Sequence, residues 1–203
     1  MSVFSQLMMR KKIPAIYKVL DWIKSTGTQY IDMGVTSKAN QKAKYSFMPT
    51  TISTGVSYAI SGAYTENNSS YFGIIRSADG KLNYRSYINF VPCGDVITTG
   101  TQYDVEVVLN NNSQSMTCNG ANATSSYPTA DLASNLYLFK ISNLPTQAFI
   151  GRVYYFSLWQ NNVLVRNLIP VRRLTDNEVG MYDTVSKTFF GNVGTGKFIG
   201  SDE

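Results

Sequence analysis

Residues 103–110 read YDVEVVLN, and this stretch decides the fold class. Tyr103, Val105, Val107 and Leu109 alternate with Asp104, Glu106 and, past Val108, Asn110. A period of two places the first set on one face of a strand and the polar set on the other, so one side is expected to meet a core. The chain then passes Asn110-Asn111-Asn112-Ser113, returns through residues 115–118 and reaches Asn119-Gly120. Both asparagine clusters are turn signals, so strand, turn, strand and turn are expected in sequence.

The same period runs outward in both directions from Ala15 onward. Further strands are expected around Tyr17, Val19 and Trp22, at Tyr30 and Ile31 after a turn at Thr26-Gly27, and over residues 45–48, 56–60, 71–76 and 82–90. Beyond residue 120 they are expected at 136–141, 151–159, 163–171 and 189–199. Polar clusters such as ENNSS (66–70) and SADGK (77–81) separate them, and Asp79-Gly80 predicts a two-residue hairpin turn. About twelve short strands at this spacing, with no helical window beyond two turns, predict a two-sheet sandwich. In GRVYYFSLW (151–159), Val153, Phe156 and Leu158 can share one core only if a bulge shifts the alternation between Val153 and Phe156.

Composition agrees. Ser, Thr and Asn make up 56 of the 203 residues, and 14 Tyr with 10 Phe supply side chains suited to a half-buried pleated surface. A chain that is 43% hydrophobic and 15% charged suits one domain of ordinary core size. No apolar run approaches the ~18 residues of a membrane-spanning helix, and Arg10, Lys11 and Lys12 follow the first apolar patch, so neither a membrane span nor an export signal is expected. There is no His, which removes imidazole bases, His-ligated metals and most nucleophilic triads.

The formal net charge of +5 is concentrated at one end: residues 1–44 hold eight basic and two acidic groups, whereas residues 45–203 hold ten and eleven. A nucleic-acid reader carries its basic stripe across the fold, so no nucleic-acid partner is expected. In MSVFSQLMMRKK (1–12), Phe4, Leu7 and Met8 recur at helical spacing ahead of Arg10, Lys11 and Lys12. Such a segment is too short to be stable alone and orders only by packing on the body or on another chain; a frayed terminus is the alternative. Cys93 and Cys118 leave one disulfide conceivable across the sheets, with two reduced thiols as the expected state.

Five strings carry a family resemblance: WIKSTGTQYIDMG (22–34), FIGRVYYFSLW (149–159), LVRNLIPVRR (164–173), VGMYD (179–183) and TFFGNVGTG (188–196). In this order and spacing they resemble the laminin-G-like, or concanavalin A-like, jelly-roll module of tailed-phage virion and prophage proteins. They bracket residues 22–200, while residues 45–144 match in pattern only. The resemblance implies an all-β, two-sheet antiparallel β-sandwich of jelly-roll type over residues 15–203, preceded by a docking arm at 1–14. It also implies a non-enzymatic virion structural protein, a capsid decoration or fibre-type adhesin. Phe4, Leu7, Met8, Arg10, Lys11 and Lys12 would dock on other virion proteins, and a homo-oligomer is compatible. A tail receptor-binding lectin for host surface glycans is the alternative.

Candidate chemistry is sparse. Asp104 and Glu106 are the one carboxylate pair at alternate strand positions, but Val108 and Asn110 follow where a third carboxylate is usual in glycosidases of this superfamily, so a solvated sheet face is the expectation. Asp79, Asp95 and Asp131 lie in no dense acidic loop, so no calcium or other cofactor is expected. Glycan binding needs only aromatic surfaces beside amides and hydroxyls, and Tyr64, Asn67, Asn68 and Tyr71 offer them, with Tyr84, Tyr87 and Tyr127 elsewhere. Arg172, Arg173, Asp176, Glu178 and Asp183 form either an anion clamp or, as expected, intrachain pairs that pin the last strands.

Overall fold

The structure is a computed structural model that describes residues 13–53, 55–65, 70–77, 79–86, 89–142 and 147–203. The larger of two sheets has eleven strands among the described residues. Its main path runs β11 (Ala121–Ser125), β10 (Ser113–Cys118), β9 (Tyr103–Asn110), β4 (Asn40–Pro49), β14 (Ile150–Gln160), β15 (Val163–Arg173), β16 (Val179–Asp183) and β17 (Phe189–Phe190). Off this path β1 (Tyr17–Val19) pairs with β15, β2 (Ile23–Thr26) with β14, and β18 (Ile199–Gly200) with β2. The smaller sheet runs β3 (Ile31–Thr36), β12 (Asn135–Leu138), β5 (Tyr58–Thr65), β6 (Ser70–Arg76), β7 (Lys81–Ser86) and β8 (Asn89–Val96). Among the described residues the strands pair antiparallel, except that β13 (Gln147–Ala148) joins β5 in parallel, next to a parallel bridge between Gly62 and Ile141.

One core lies between the sheets. Tyr45, Phe47, Val105 and Phe156 of the larger sheet meet Ile31, Met33, Ile60, Tyr84 and Leu138 of the smaller. The chain is an all-β sandwich, as its alternation predicts. In β9, Val105, Val107 and Leu109 are buried, Tyr103 is half-buried against the core, and Asp104 and Glu106 face away from it. The register of β14 against β4 shifts between Val153 and Tyr155. That bulge lets Val153, Phe156 and Leu158 all reach the core, where each is essentially inaccessible.

The tight turns follow from their residues. Asn119 (φ 46°) and Gly120 (φ 88°) join β10 to β11, and Asn161 (φ 49°) and Asn162 (φ 63°) join β14 to β15. Two successive positive φ angles match the right-handed twist of the flanking strands, and Asn and Gly tolerate them best. The hairpin between β6 and β7 differs from the two-residue turn expected at Asp79-Gly80. Ser77 N–H donates to Lys81 O at 2.9 Å and Gly80 N–H to Ser77 O at 2.9 Å, so the loop is longer, and only Gly80 (φ 89°) among its described residues is left-handed. Asp79 instead accepts the Lys81 N–H at 3.0 Å, as a short carboxylate does when it competes for nearby backbone.

The strand expected over 136–141 also ends early, at Leu138, because Phe139 takes a left-handed conformation (φ 71°). Its side chain is fully buried, with ring centroids 6.2 Å from Phe149 and 5.1 Å from Phe198. Its N–H donates to Ile60 O and its carbonyl accepts from Phe149 N–H, both at 2.7 Å. Packing and two main-chain bonds hold a backbone that costs an aromatic residue ~1–2 kcal/mol.

A satellite cluster covers the outer face of the larger sheet, where Ile13, Tyr17 and Phe189 pack on Ile169, Val171 and Tyr182. Residues 1–12, with Phe4, Leu7, Met8 and Arg10 to Lys12, lie outside the described residues. The basic and acidic groups near the C-terminus pair within the chain. Arg172 donates to Asp202 at 2.7 and 3.1 Å and to Glu203 at 2.5 Å, while Lys18 reaches Asp202 at 2.7 Å. Arg173 binds Asp176 through two nitrogens and also pairs with Glu178. Asp183 is buried, pairs with Arg166 at 3.7 Å, and accepts the N–H groups of Asn167, Val185 and Ser186 at 2.8–3.1 Å. Cys93 and Cys118 are both buried and free, and burial pushes the Cys118 thiol up to about 11.

Two predictions concern stability. Tyr45 buries its hydroxyl beside that of Ser61, and neither makes a hydrogen bond of normal geometry. Tyr45→Phe is expected to raise the melting temperature by about 2–4 °C, equivalent to ~1 kcal/mol, and a fall would refute the assignment. Arg172, backed by Lys18, holds the Asp202 carboxyl well below the usual carboxylate range. A depressed carboxylate contributes stability that is present above its unfolded pKa of about 4 and lost as the pH falls through the folded value. Asp202→Asn should therefore lower the melting temperature at neutral pH by a few degrees and flatten its decline below pH ~4. Superimposable melting-temperature profiles for the two proteins would refute the clasp.

Candidate functional site

Of the expected glycan-contacting residues Tyr64, Asn67, Asn68 and Tyr71, the structure describes the side chain of Tyr64. Tyr64, near the end of β5, is half-buried and packs on Ala59 and Ile141, and its carbonyl accepts Ser134 Oγ at 2.7 Å. Tyr71 stands opposite it in the β5–β6 register, and Asn67 and Asn68 lie outside the described residues. Tyr84 is a core residue whose hydroxyl meets Ser125 Oγ at 3.0 Å, so it offers no exposed face. Tyr87 is outside the described residues, and Tyr127 is exposed beside a shallow depression with Pro92 and Ser126.

Two of the candidate carboxylates, Glu106 and Asp131, are paired within the chain. Glu106 pairs with Lys44 across the β4–β9 register, and the Asp104 N–H donates to Asn119 Oδ1 at 2.8 Å. Burial, then the charges of Asp104 and Glu106, pushes the Tyr155 phenol up. Asp131 accepts Ala39 N–H at 2.8 Å and Lys38 Nζ at 2.9 Å, which lowers its pKa. Among the described residues, no three His, Cys, Asp or Glu side chains gather as metal ligands would.

A better-formed site lies where three connections meet: the β2–β3 loop, the segment after β12, and the loop between β17 and β18. It is a cleft of about 580 Å3. Tyr30, Ala148, Ile150 and Val193 give it apolar surface, and Thr26, Thr28, Thr195 and Lys140 give it polar groups. No Asp or Glu is among its lining residues.

The sequence explains how the walls are held. Gly27 (φ 108°) turns the chain out of β2 where a Cβ would press on Ile150 at 3.1 Å. Buried Gln29 then stitches the loops together: its Oε1 accepts Thr26 N–H at 2.7 Å, and its Nε2 donates to Thr195 O at 3.1 Å. Asn192 Oδ1 accepts the N–H groups of Tyr30 at 3.1 Å and Gly194 at 2.8 Å. Val193 N–H donates to Tyr30 O at 2.9 Å, and Thr28 Oγ1 to Thr195 O at 2.9 Å. Gly194 permits this closeness, since a Cβ there would stand 1.9 Å from Thr28 O. Buried amides and main-chain bonds therefore fix the cleft before any ligand arrives.

One aromatic ring, backed by a second, and a cation complete it. Tyr30 stacks on Tyr137 with centroids 5.2 Å apart, and Lys140 Nζ lies 5.0 Å from the Tyr30 centroid. Burial, then Asp32 and Tyr30, pushes the Tyr137 phenol up. Asp32 itself accepts Gly34 N–H at 2.8 Å and Asn135 Nδ2 at 3.1 Å. Lys140 directly follows the left-handed Phe139, so that backbone reversal is what delivers the cation here. In the sequence Tyr30 reads as an ordinary strand residue, and nothing local marks Lys140, Thr28 or Thr195. The proximity of residues 26–30 to 192–196 is a long-range contact with no local signal.

No family model and no curated protein sequence matches the chain. Among solved structures, the native heptameric SAP-like pentraxin from Limulus polyphemus is similar over 90% of this chain and 95% of its own, with a TM-score of 0.57 and 13% identity. The CBM40 module of the Ruminococcus gnavus IT-sialidase bound to alpha2,3 sialyllactose is similar over 70% of this chain and 90% of its own (TM-score 0.55, 14% identity). Domains LG4-5 of the mouse laminin alpha1 chain are similar over 71% of this chain, which spans 42% of that structure (TM-score 0.52, 12% identity). At these identities the likeness is one of fold, and the fold is a laminin-G-like jelly roll.

Proposed function

We propose that this protein is a non-catalytic, lectin-like module that binds carbohydrate in the cleft formed by Tyr30, Thr28, Thr195 and Lys140. The observation that carries the reading is a pre-fixed cleft of monosaccharide-to-disaccharide size whose apolar surface stands beside hydroxyl groups. A sugar ring presents C–H faces edged by hydroxyls, so Ile150, Val193 and the Tyr30 ring suit the former and the threonines the latter. Support from likeness is limited to fold: a related jelly roll, the CBM40 module, is described as bound to sialyllactose. The absence of His from the chain and the pairing of Glu106 with Lys44 favour binding over catalysis.

The strings at 22–34, 149–159, 164–173, 179–183 and 188–196 supply the biological setting of the proposal. By that resemblance the module belongs to a tailed-phage virion, as a capsid decoration or fibre-type protein docked through residues 1–12, with a tail receptor-binding lectin as the alternative placement. The described chain enters the fold at Ile13, within the satellite cluster on the outer face of the larger sheet. Basic and apolar residues ahead of that point suit an acidic partner surface.

Tyr30→Ala is expected to weaken binding on a glycan array at least tenfold with little loss of fold, and Gly194→Ala to abolish it by forcing residues 28 and 194 apart. A blank array for the intact protein, or full binding by both variants, would refute the cleft. Removal of residues 1–12 should leave the melting curve unchanged while ending incorporation into particles; unchanged occupancy would refute the docking role.

A further inference from the structure

We infer that the cleft selects carboxylated sugars over their neutral counterparts, with Lys140 as the residue that recognises the charge. This rests on the carbohydrate reading above and goes beyond it by naming the ligand class. Three features of the structure carry it.

The first is an unspent cation. Among the described residues Lys140 makes no ion pair, and its ammonium rests over the Tyr30 ring at 5.0 Å. A cation–π contact at a partly exposed site is worth only about 0.5–1 kcal/mol, so the ammonium can leave the ring for a ligand carboxylate at small cost. The second is the absence of a competing or repelling acid: no Asp or Glu lines the cleft, and both Asp32 oxygens, behind Tyr137, already accept hydrogen bonds.

The third is the contrast with the cavity of about 530 Å3 on the other side of the 192–196 loop, to which Gly194 also contributes. Glu178 and Glu203 line that cavity beside its two cations, Lys197 and Arg172, and Arg172 is committed to Asp202 and Glu203. The two hollows share a wall, yet only the first offers a cation without carboxylate company. The strained backbone at Phe139 fits the same reading. A left-handed aromatic residue is kept where the next residue must be turned into the cleft, and unfavourable backbone of this kind persists at ligand-contacting positions.

The test uses the full chain and matched pairs of soluble sugars: sialyllactose with lactose, and a glucuronate-containing disaccharide with its glucose equivalent. Titration calorimetry is expected to show the acidic member binding about tenfold more tightly in at least one pair, an advantage that shrinks as salt is raised. Lys140→Met should bring the acidic member of each pair down to the affinity of its neutral counterpart, while Lys140→Arg should retain most of the advantage. Both variants should melt as the parent does, since Lys140 is not a core residue. Equal affinities within both pairs, unchanged in Lys140→Met, would overturn the charge selection and leave the carbohydrate reading standing. An acidic preference that survives Lys140→Met would also overturn it. No binding of any sugar would overturn both.

Discussion

The pairing of β4 with β14 is the constraint on which the rest of the architecture depends. β14 runs the length of the larger sheet, with β4 along one edge and the other edge divided between β2 and β15. The bulge at Tyr154 turns three large apolar side chains toward one core. Without it, the second half of the strand would present Phe156 and Leu158 to solvent, since a one-residue slip exchanges the two faces.

The cleft inherits its form from the same frame. β2 lies against the start of β14, which fixes where the 26–30 loop leaves the sheet, and β18 lies against β2, which brings the preceding loop back beside it. Gln29 and Asn192 then convert proximity into a fixed shape by satisfying main-chain groups that would otherwise need water. The smaller sheet contributes through the reversal at Phe139, so the site draws on both layers and on segments 167 residues apart in sequence, as the Thr28 to Thr195 bond shows.

The electrostatic pattern separates the parts that hold the fold from the part open to a ligand. Arg172, Arg173, Lys38 and Lys44 are each matched to carboxylates. Such surface pairs contribute modestly, and their main effect is to fix strand ends and loops. Lys140 differs from these four in making no ion pair among the described residues and in having an open cleft in front of it.

Much of this was legible in the residues alone. Alternation in Tyr103–Asn110 fixed a strand and its inward face, the pattern in 151–159 required a bulge between Val153 and Phe156, and Asn119-Gly120 specified a turn. These are local: side-chain period and backbone preference act within a few residues. The hairpin at 77–81 and the end of β12 departed from expectation because main-chain bonds and core packing overrode local propensity at Asp79 and Phe139. The contact of Tyr64 with Ile141 is likewise long-range and has no local signal. The cleft was decided by tertiary structure alone, because Tyr30, Lys140 and Thr195 become neighbours only when three connections from two sheets converge, and no period or turn signal encodes that convergence.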